Sequence, residues 1–398
     1  MKSDKVNFTN KQGQELVGKI SLPVDQKPHN FVIFAHCFTC TKNLIAIRNL
    51  SNALTSHGFG VLRFDFAGLG ESEGDFAETN FSGNIQDLIA AANYLKEKHI
   101  APSLLIGHSL GGAAVLFAAS MIDSVTAVAT IGAPSEPIHV KNLIQDSVEE
   151  ISEKGHAKVS LGGRPFTIKK QFLDDLENNS LLELVADLRK PFLILHSPQD
   201  RVVTIENAEK LFKAAFHPKS FITLDQADHL LSRKEDSLYV GEVIASWASR
   251  YVEIPEIVEL DTKDEVVASL AKEDNFLTRM KVGSHYMLAD EPLSVGGNDF
   301  GPNPFELVTA GLSACTAMTL HMYARRKEWD LQNVHVHISH TKERTGDIGP
   351  KQDVFTRHIE MKGELDVEQR EKLIEIANKC PVHKTLHQTS KVVTFEKK

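Results

Sequence analysis

The chain of 398 residues is poor in the residues that staple or anchor unusual folds: four cysteines, two tryptophans and five tyrosines. Four scattered cysteines cannot frame a disulfide-stapled scaffold, so stability must come from packed cores and a reducing, cytoplasmic setting is expected. Positive charge is in deficit. Lys and Arg number 44 against 53 Asp and Glu, a net charge of −9, which argues against nucleic acid as a partner because that needs a basic face. Long apolar runs are missing too. The most apolar stretch, LGGAAVLFAASMI (110–122), is too short to cross a bilayer, and the polar start MKSDKVNFTN lacks the apolar segment of a secretory signal. No membrane partner is expected, and neither an internal repeat nor a low-complexity tract is present.

What is present follows two patterns. A chain this long exceeds one typical core, so two domains are expected. Over the first 250 residues, short apolar runs alternate with helical patterns: FVIFAH (31–36), GVLRFDF (60–66), SLLIGH (103–108), VTAVATIGA (125–133), PFLILHS (191–197) and FITLDQ (221–226). Runs apolar on both faces suit a parallel sheet covered by helices, hence a doubly wound α/β fold. An opening hairpin should pair VNFTN with ELVGKISL. About fifty residues, from 135 to 187, separate two expected strands, and their polar, irregular centre reads as a cap. The acidic stretch 251–265 reads as part of a linker. Beyond it come FLTRMKVGSHYML, VHVHISHTK, RHIEMKGEL and KVVTFEKK as strands, with two strong helices. One starts at Asn303-Pro304 and runs to about Arg326. The other opens on the capping pattern Asp366-x-x-Gln369 and should carry Leu373, Ala377 and Cys380 on one face. The expected domains are 1–253, a linker over 254–266, and an α+β domain over 267–398.

GHSLG (107–111) stands between a strand and a helix-forming run, the context a nucleophile elbow needs. Ser109 would be exposed on the turn. A serine hydroxyl is a weak nucleophile and needs a base and an orienting acid. Asp200 follows the strand PFLILHS, and His229 follows the next one. Asp225 and Asp228 are rival acids, but they share the histidine's own loop, and a partner on a neighbouring strand holds the imidazole better.

Residues 1–250 thus resemble an α/β-hydrolase of the serine-esterase type, through GHSLG, through RFDFAGLGESEG (63–74) and through the acid loop SPQDRVV. The resemblance implies acyl-enzyme chemistry on a small-molecule ester with no cofactor. It also places HCFTCTKN (36–43) at the oxyanion loop, where the Phe38 N–H and the Leu110 N–H would hold the developing charge. Cys37 stands where the family has glycine. Cys37 and Cys40 have dithiol spacing, but a redox pair normally precedes a helix, and zinc would need more ligands than His36 and two thiols. They are expected to be small loop residues that do not bridge.

Cys315 and Cys380, read by composition alone, are packing residues. Residues from about 267 onward, however, resemble the OsmC/Ohr thiol peroxidases through DEPLSVGGND-GPNPFEL (290–307), the Cys315 helix and the CPVH segment. The resemblance implies that Cys315 attacks an organic hydroperoxide, that Cys380 resolves the sulfenic acid, that an external dithiol reduces the pair, and that the domain forms a homodimer. Two features depart from the family. Phe305 occupies the place of its acid, with Glu306 shifted by one, and LSVGGND lacks its arginine, for which Arg279 would substitute. Two other readings stand beside this one, peroxide reduction as the main activity and a non-catalytic dimerisation or ligand-binding module, and the departures favour the module of the two. His335 and His337 share one face of a strand, read as a solvent face rather than a metal site.

Overall fold

The computed structural model describes residues 2–37, 39–161, 164–177, 180–255, 259–344 and 350–397. The chain divides into two compact units, Met1–Val258 and Glu259–Lys398. In the first, the strands in chain order are β1 (Lys2–Thr9), β2 (Glu15–Leu22), β3 (Asn30–Ala35), β4 (Phe59–Phe64), β5 (Pro102–His108), β6 (Ala127–Ile131), β7 (His156–Leu161), β8 (Arg164–Lys169), β9 (Phe192–His196) and β10 (Lys219–Thr223). Eight of these form one sheet in the order β1-β2-β4-β3-β5-β6-β9-β10. The opening hairpin is antiparallel and pairs β2 with β4 antiparallel, while the strands from β4 to β10 run parallel.

The helices are α1 (Ile45–Ser56), α2 (Phe81–Lys98), α3 (Leu110–Met121), α4 (Val148–Lys154), α5 (Lys170–Glu177), α6 (Leu181–Asp187), α7 (Glu206–Ala214) and α8 (Lys234–Ala248). β3, β4, β5, β6 and β9 are buried along their whole length, as strands apolar on both faces must be. One face packs on α2, α3 and α7 through Phe81, Leu88, Val115 and Leu211. The other packs on α1 and α8 through Ile47, Leu50, Val240 and Ile244. The expected doubly wound architecture is what forms.

Between β6 and β9 lies the interval expected to be irregular. Its described residues instead form a 3-10 segment over Pro137–Ser147, then α4, the antiparallel hairpin β7–β8, α5 and α6. The hairpin was legible as alternation, since Ala157, Val159 and Ile168 turn inward while Lys158 stays out.

The second unit opens with a meander of β11 (Val266–Ser269), β12 (Thr278–Val282) and β13 (His285–Ala289), followed by α9 (Pro304–Arg326). A long antiparallel ribbon of β14 (Asn333–Arg344) and β15 (Lys351–Lys362) follows, then α10 (Val367–Ala377) and α11 (Pro381–His387). α9 and α10 both start on full capping boxes, Asn303 with Glu306 and Asp366 with Gln369. Two expectations fail here. Cys380 does not extend the α10 face, because that helix stops at Ala377 and Cys380 caps α11. KVVTFEKK forms no strand over its described residues 391–397, for a strand needs a hydrogen-bonding neighbour and no described strand of this chain supplies one.

Candidate active sites

The first site is built at the carboxyl ends of β5, β6 and β9. Ser109, one residue past β5, has φ 55° and ψ −127°, the strained turn that swings a side chain out of the strand-to-helix path. Its N–H donates to the Ile131 carbonyl at 2.9 Å, tying the elbow to β6. The flanking glycines are sterically required. A Cβ on Gly107 would strike the Gly111 backbone, and one on Gly112 would lie 2.6 Å from the Ala133 Cβ.

His229 and Asp200 meet beside this turn. The His229 Nδ1–H donates to Asp200 Oδ2 at 2.7 Å, and Asp200 Oδ1 accepts the Val202 and Val203 N–H groups at 2.8 and 3.0 Å. Burial alone would raise the Asp200 carboxyl, but the His229 hydrogen bond and charge, with the two backbone donors, outweigh it and hold Asp200 below the usual carboxylate range. The rivals are engaged elsewhere. Asp225 accepts from Gln199, and Asp228 from the Ser232 N–H. Gly132 closes the arrangement from β6, with a would-be Cβ 3.2 Å from Asp200 Oδ2 and 3.3 Å from His229 Nδ1.

His108, the variable residue of the elbow, was overlooked in the sequence. Its Nε2–H donates to the His229 carbonyl at 2.6 Å, and its ring lies tilted by 41° against that of His229, with centroids 4.9 Å apart. Burial first, and the nearby His229, push it down to about 3, so it stays neutral and pins the His229 loop to the elbow.

The loop 36–43 is held from several sides. His36 Nδ1–H donates to the Cys37 carbonyl at 2.8 Å. Lys42, almost fully buried, places Nζ 2.5 Å from Asp65 and 2.9 Å from Glu71. From β8, Arg164 donates to the Thr39 carbonyl at 2.9 Å. Contrary to expectation, Cys37 and Cys40 form a disulfide. The turn closed by Cys40 N–H on the Cys37 carbonyl brings their Cα atoms to 5.3 Å, within bridging range. Phe38 lies outside the described residues, and Leu110 begins α3 directly after Ser109.

The second site gathers residues from α9, β15, α10 and α11. Cys315 is partly exposed on α9 and Cys380 is buried. The Cys380 sulfur accepts the His383 N–H at 3.3 Å and lies 3.8 Å from the Thr316 hydroxyl, and the Cys315 thiol beside it helps to lower its pKa. The cation here is Arg357, which sequence reasoning missed. Its Nη1 donates to Thr316 Oγ1 at 2.8 Å and to the Ala377 carbonyl at 3.0 Å, and its Nη2 to Asn378 Oδ1 at 2.7 Å. A signal existed: Arg357 is opposite Ile338, on the inward face of a ribbon otherwise lined by Val334, Val336, Ile359 and Met361. Arg279 instead pairs with Asp274 at 2.6 Å, and Glu306 serves the capping box. Phe305, in the acid's place, stacks on His340 at 4.6 Å. A cavity of about 500 Å³ beside Arg357 is lined by Asn378, His383, Leu312, Phe355 and Ile359. His335 and His337 are exposed, and among the described residues no group of three or more potential ligands assembles for a metal. Among those residues, too, no helix is long and apolar enough to cross a membrane.

Residues 26–183 match the family model described as "Serine aminopeptidase, S33", and residues 296–396 match that of "OsmC-like protein". Among curated proteins, YfhR of Salmonella typhimurium is 26% identical over 232 residues, covering 57% of this chain and 75% of its own length. The mitochondrial palmitoyl-protein thioesterase ABHD10 of Mus musculus is 25% identical over 213 residues, 52% of this chain and 70% of its own. Among solved structures, the esterase domain of a Rhodothermus marinus protein is 52% identical with a TM-score of 0.53, covering 63% of this chain and 99% of its own. The mouse ABHD10 structure shares the fold at 22% identity and a TM-score of 0.52, over 62% of this chain and 99% of its own. The chain therefore belongs to the α/β-hydrolases through its N-terminal half, a hydrolase of the serine-hydrolase type, and carries an OsmC-like domain in its C-terminal part.

Proposed function

We propose that the N-terminal domain is a carboxylesterase acting through Ser109, His229 and Asp200. The observation that carries this reading is the His229–Asp200 hydrogen bond of 2.7 Å beside a serine held at φ 55°. In it, His229 takes the Ser109 proton as the hydroxyl attacks the acyl carbonyl, and Asp200 orients the ring and stabilises the imidazolium. The Phe38 and Leu110 N–H groups receive the oxyanion. The leaving alcohol takes the proton from His229, and water then repeats the sequence on the acyl-enzyme. A thioester carbonyl reacts by the same path, so the thioesterase among the relatives widens the substrate class to acyl groups on oxygen or sulfur.

The C-terminal domain acts, in this reading, as a thiol peroxidase. Cys315 reduces an organic hydroperoxide, Cys380 closes the disulfide, and an external dithiol reopens it. The domain pairs with a second copy, which would cover the exposed Met318 and Met322 of α9 and offer a neighbour to the unpaired stretch with Val392 and Phe395. The working division is 1–253 for the hydrolase, with its cap over 135–187, 254–266 for the linker and 267–398 for the thiol domain. No resident cofactor or metal enters either step, and the setting is cytoplasmic. Hydrolysis of p-nitrophenyl esters of increasing acyl length tests the first half. Ser109→Ala should lower turnover by about 10³-fold or more, and full turnover in that variant would remove the assignment.

A further inference from the structure

We propose that Cys380 is the base that activates Cys315, with Arg357 as the counter-charge that keeps the Cys380 sulfur anionic. The inference rests on the thiol-peroxidase reading and gives Cys380 a role before resolution. It starts from Arg357. All its recorded acceptors are neutral, namely the Thr316 hydroxyl, the Ala377 carbonyl and the Asn378 amide. Among the described residues no carboxylate pairs with this half-buried guanidinium. A cation so placed is balanced by the anion nearest to it.

The surroundings of Cys380 supply that anion. Its sulfur accepts the His383 N–H at 3.3 Å at the start of α11 and has the Cys315 thiol beside it, while the Thr316 hydroxyl, 3.8 Å away, accepts from Arg357 and donates to the Leu312 carbonyl at 2.8 Å. A backbone N–H on the sulfur with a guanidinium nearby suits a thiolate better than a thiol. Burial pushes the Cys380 thiol up. The His383, Cys315 and Thr316 hydrogen bonds and the Arg357 charge then bring it below the ordinary value. The charged and titratable groups facing the pair are Arg357 from β15, His383 from α11 and the thiols themselves. α9 adds the neutral Thr316, and α10 leads into the neutral Asn378. Burial, together with Arg357 and His387, lowers His383, so its ring stays neutral. Phe305, at the sequence position of the family's acid, stacks on His340 and brings no carboxylate.

The chemistry closes without a further group. Cys315, the exposed member, meets the hydroperoxide. It hands its proton to the Cys380 thiolate while its sulfur attacks the terminal peroxide oxygen. The O–O bond breaks, and the departing alkoxide takes the proton back from Cys380 and leaves as alcohol. Cys380, again a thiolate, attacks the sulfur of the Cys315 sulfenic acid. The S–O bond breaks, hydroxide leaves, and a disulfide remains. One hydroperoxide has gained two electrons, and two thiols have lost them.

The full-length protein tests this in single turnover with cumene hydroperoxide, read as peroxide loss and as dimedone trapping of the sulfenic acid. A purely resolving Cys380 would leave the first step untouched in Cys380→Ala. We expect that variant and Arg357→Met to slow peroxide loss by roughly tenfold or more, with Arg357→Lys staying within about threefold of wild type. Wild-type rates in Cys380→Ala would overturn the proposal. Iodoacetamide alkylation across pH 5–9 needs no peroxide and gives a second readout. Arg357→Met should move its midpoint up by about one unit. Should wild type consume no hydroperoxide, the peroxidase reading fails, and the alkylation midpoint still decides for or against Arg357. Should Arg357→Met not fold, as judged by circular dichroism, Cys380→Ala decides alone.

Discussion

The two sites of this chain are assembled in opposite ways. The hydrolase site hangs on one sheet: elbow, acid and histidine all follow parallel strands, and the polar groups around them are tied to backbone that the core fixes. The thiol site hangs on side chains from three helices and a ribbon, in a unit whose main buried apolar cluster among the described residues is small: Leu320, Ala324, Leu331, Leu373, Ile376 and Ala377. Large apolar residues stay on its surface, Met322 at 72% exposure and Phe395 at 87%. A sheet-borne site needs only its own fold to hold its geometry. A site on a thinly cored unit draws on whatever covers that apolar surface.

The largest expected effect lies in the first site. If the sheet sets the acid, Asp200→Asn should lower kcat/KM for an activated ester by about 10³–10⁴-fold, since the imidazole loses its orienting anion. Asp225→Asn should stay within about twofold, because Asp225 only accepts from Gln199 and Gln226. A reversed ranking would place the acid on the histidine's own loop and undo the contrast drawn above.

Next in size is the covering of the second unit. Met322→Glu puts a charge on the exposed face of α9. Light scattering coupled to gel filtration at micromolar concentration should give a dimer for wild type and mostly monomer for the variant. A wild-type monomer would mean that α9 presents its methionines to something other than a second copy.

The contrast also explains what the sequence disclosed. Sheet strands announced themselves as runs apolar on both faces, and the elbow as glycines around a serine, because backbone strain restricts residue choice at each position. The Asn303-Pro304 start of α9 and the capping pattern of α10 were legible because the free N–H groups of a helix's first turn restrict residue choice there. His108 was invisible, and Arg357 marked only by its place among inward apolar residues, because their roles come from tertiary contacts, across 121 residues from His108 to His229 and 41 from Arg357 to Thr316. The alternation of the β7–β8 hairpin was there to read, but its charged outward residues masked it as polar loop. The stretch KVVTFEKK misled because β-propensity describes a half-buried surface and not an isolated strand.

A smaller effect separates two buried carboxyls within the hydrolase unit. Asp200 is held ionised by a histidine, whereas Asp87, 1% exposed, has only Asn10 and the Ala67 N–H as donors. Burial outweighs them and raises Asp87 to about 6. A carboxyl raised in the fold favours the folded chain most where it is protonated in both states, and this gain shrinks once the unfolded chain ionises first. That contribution is full below about 3.8 and is lost as pH rises through about 6, on the order of 3 kcal/mol in all. Urea unfolding between pH 4 and 7 should show this slope in wild type and a flatter one in Asp87→Asn. An unchanged slope would assign it to other groups.

The smallest expected effect concerns the disulfide at the hydrolase site. If sheet and loop contacts fix this site, the Cys37–Cys40 bridge is a supplement and not its organiser. The loop keeps three other ties: His36 on the Cys37 carbonyl, Lys42 between Asp65 and Glu71, and Arg164 on the Thr39 carbonyl. The bridge closes a loop too short to remove much entropy from the unfolded chain. The double variant Cys37→Ser/Cys40→Ser should therefore keep ester turnover within about fivefold of wild type, and its melting temperature should fall by only a few degrees. Wild type assayed with and without dithiothreitol should show the same small difference, which guards against an effect of the serines themselves. A loss as deep as that of Ser109→Ala, in a variant that still melts cooperatively, would mean that the bridge and not the sheet sets the oxyanion loop. Ester hydrolysis would then answer to the thiol state of this chain.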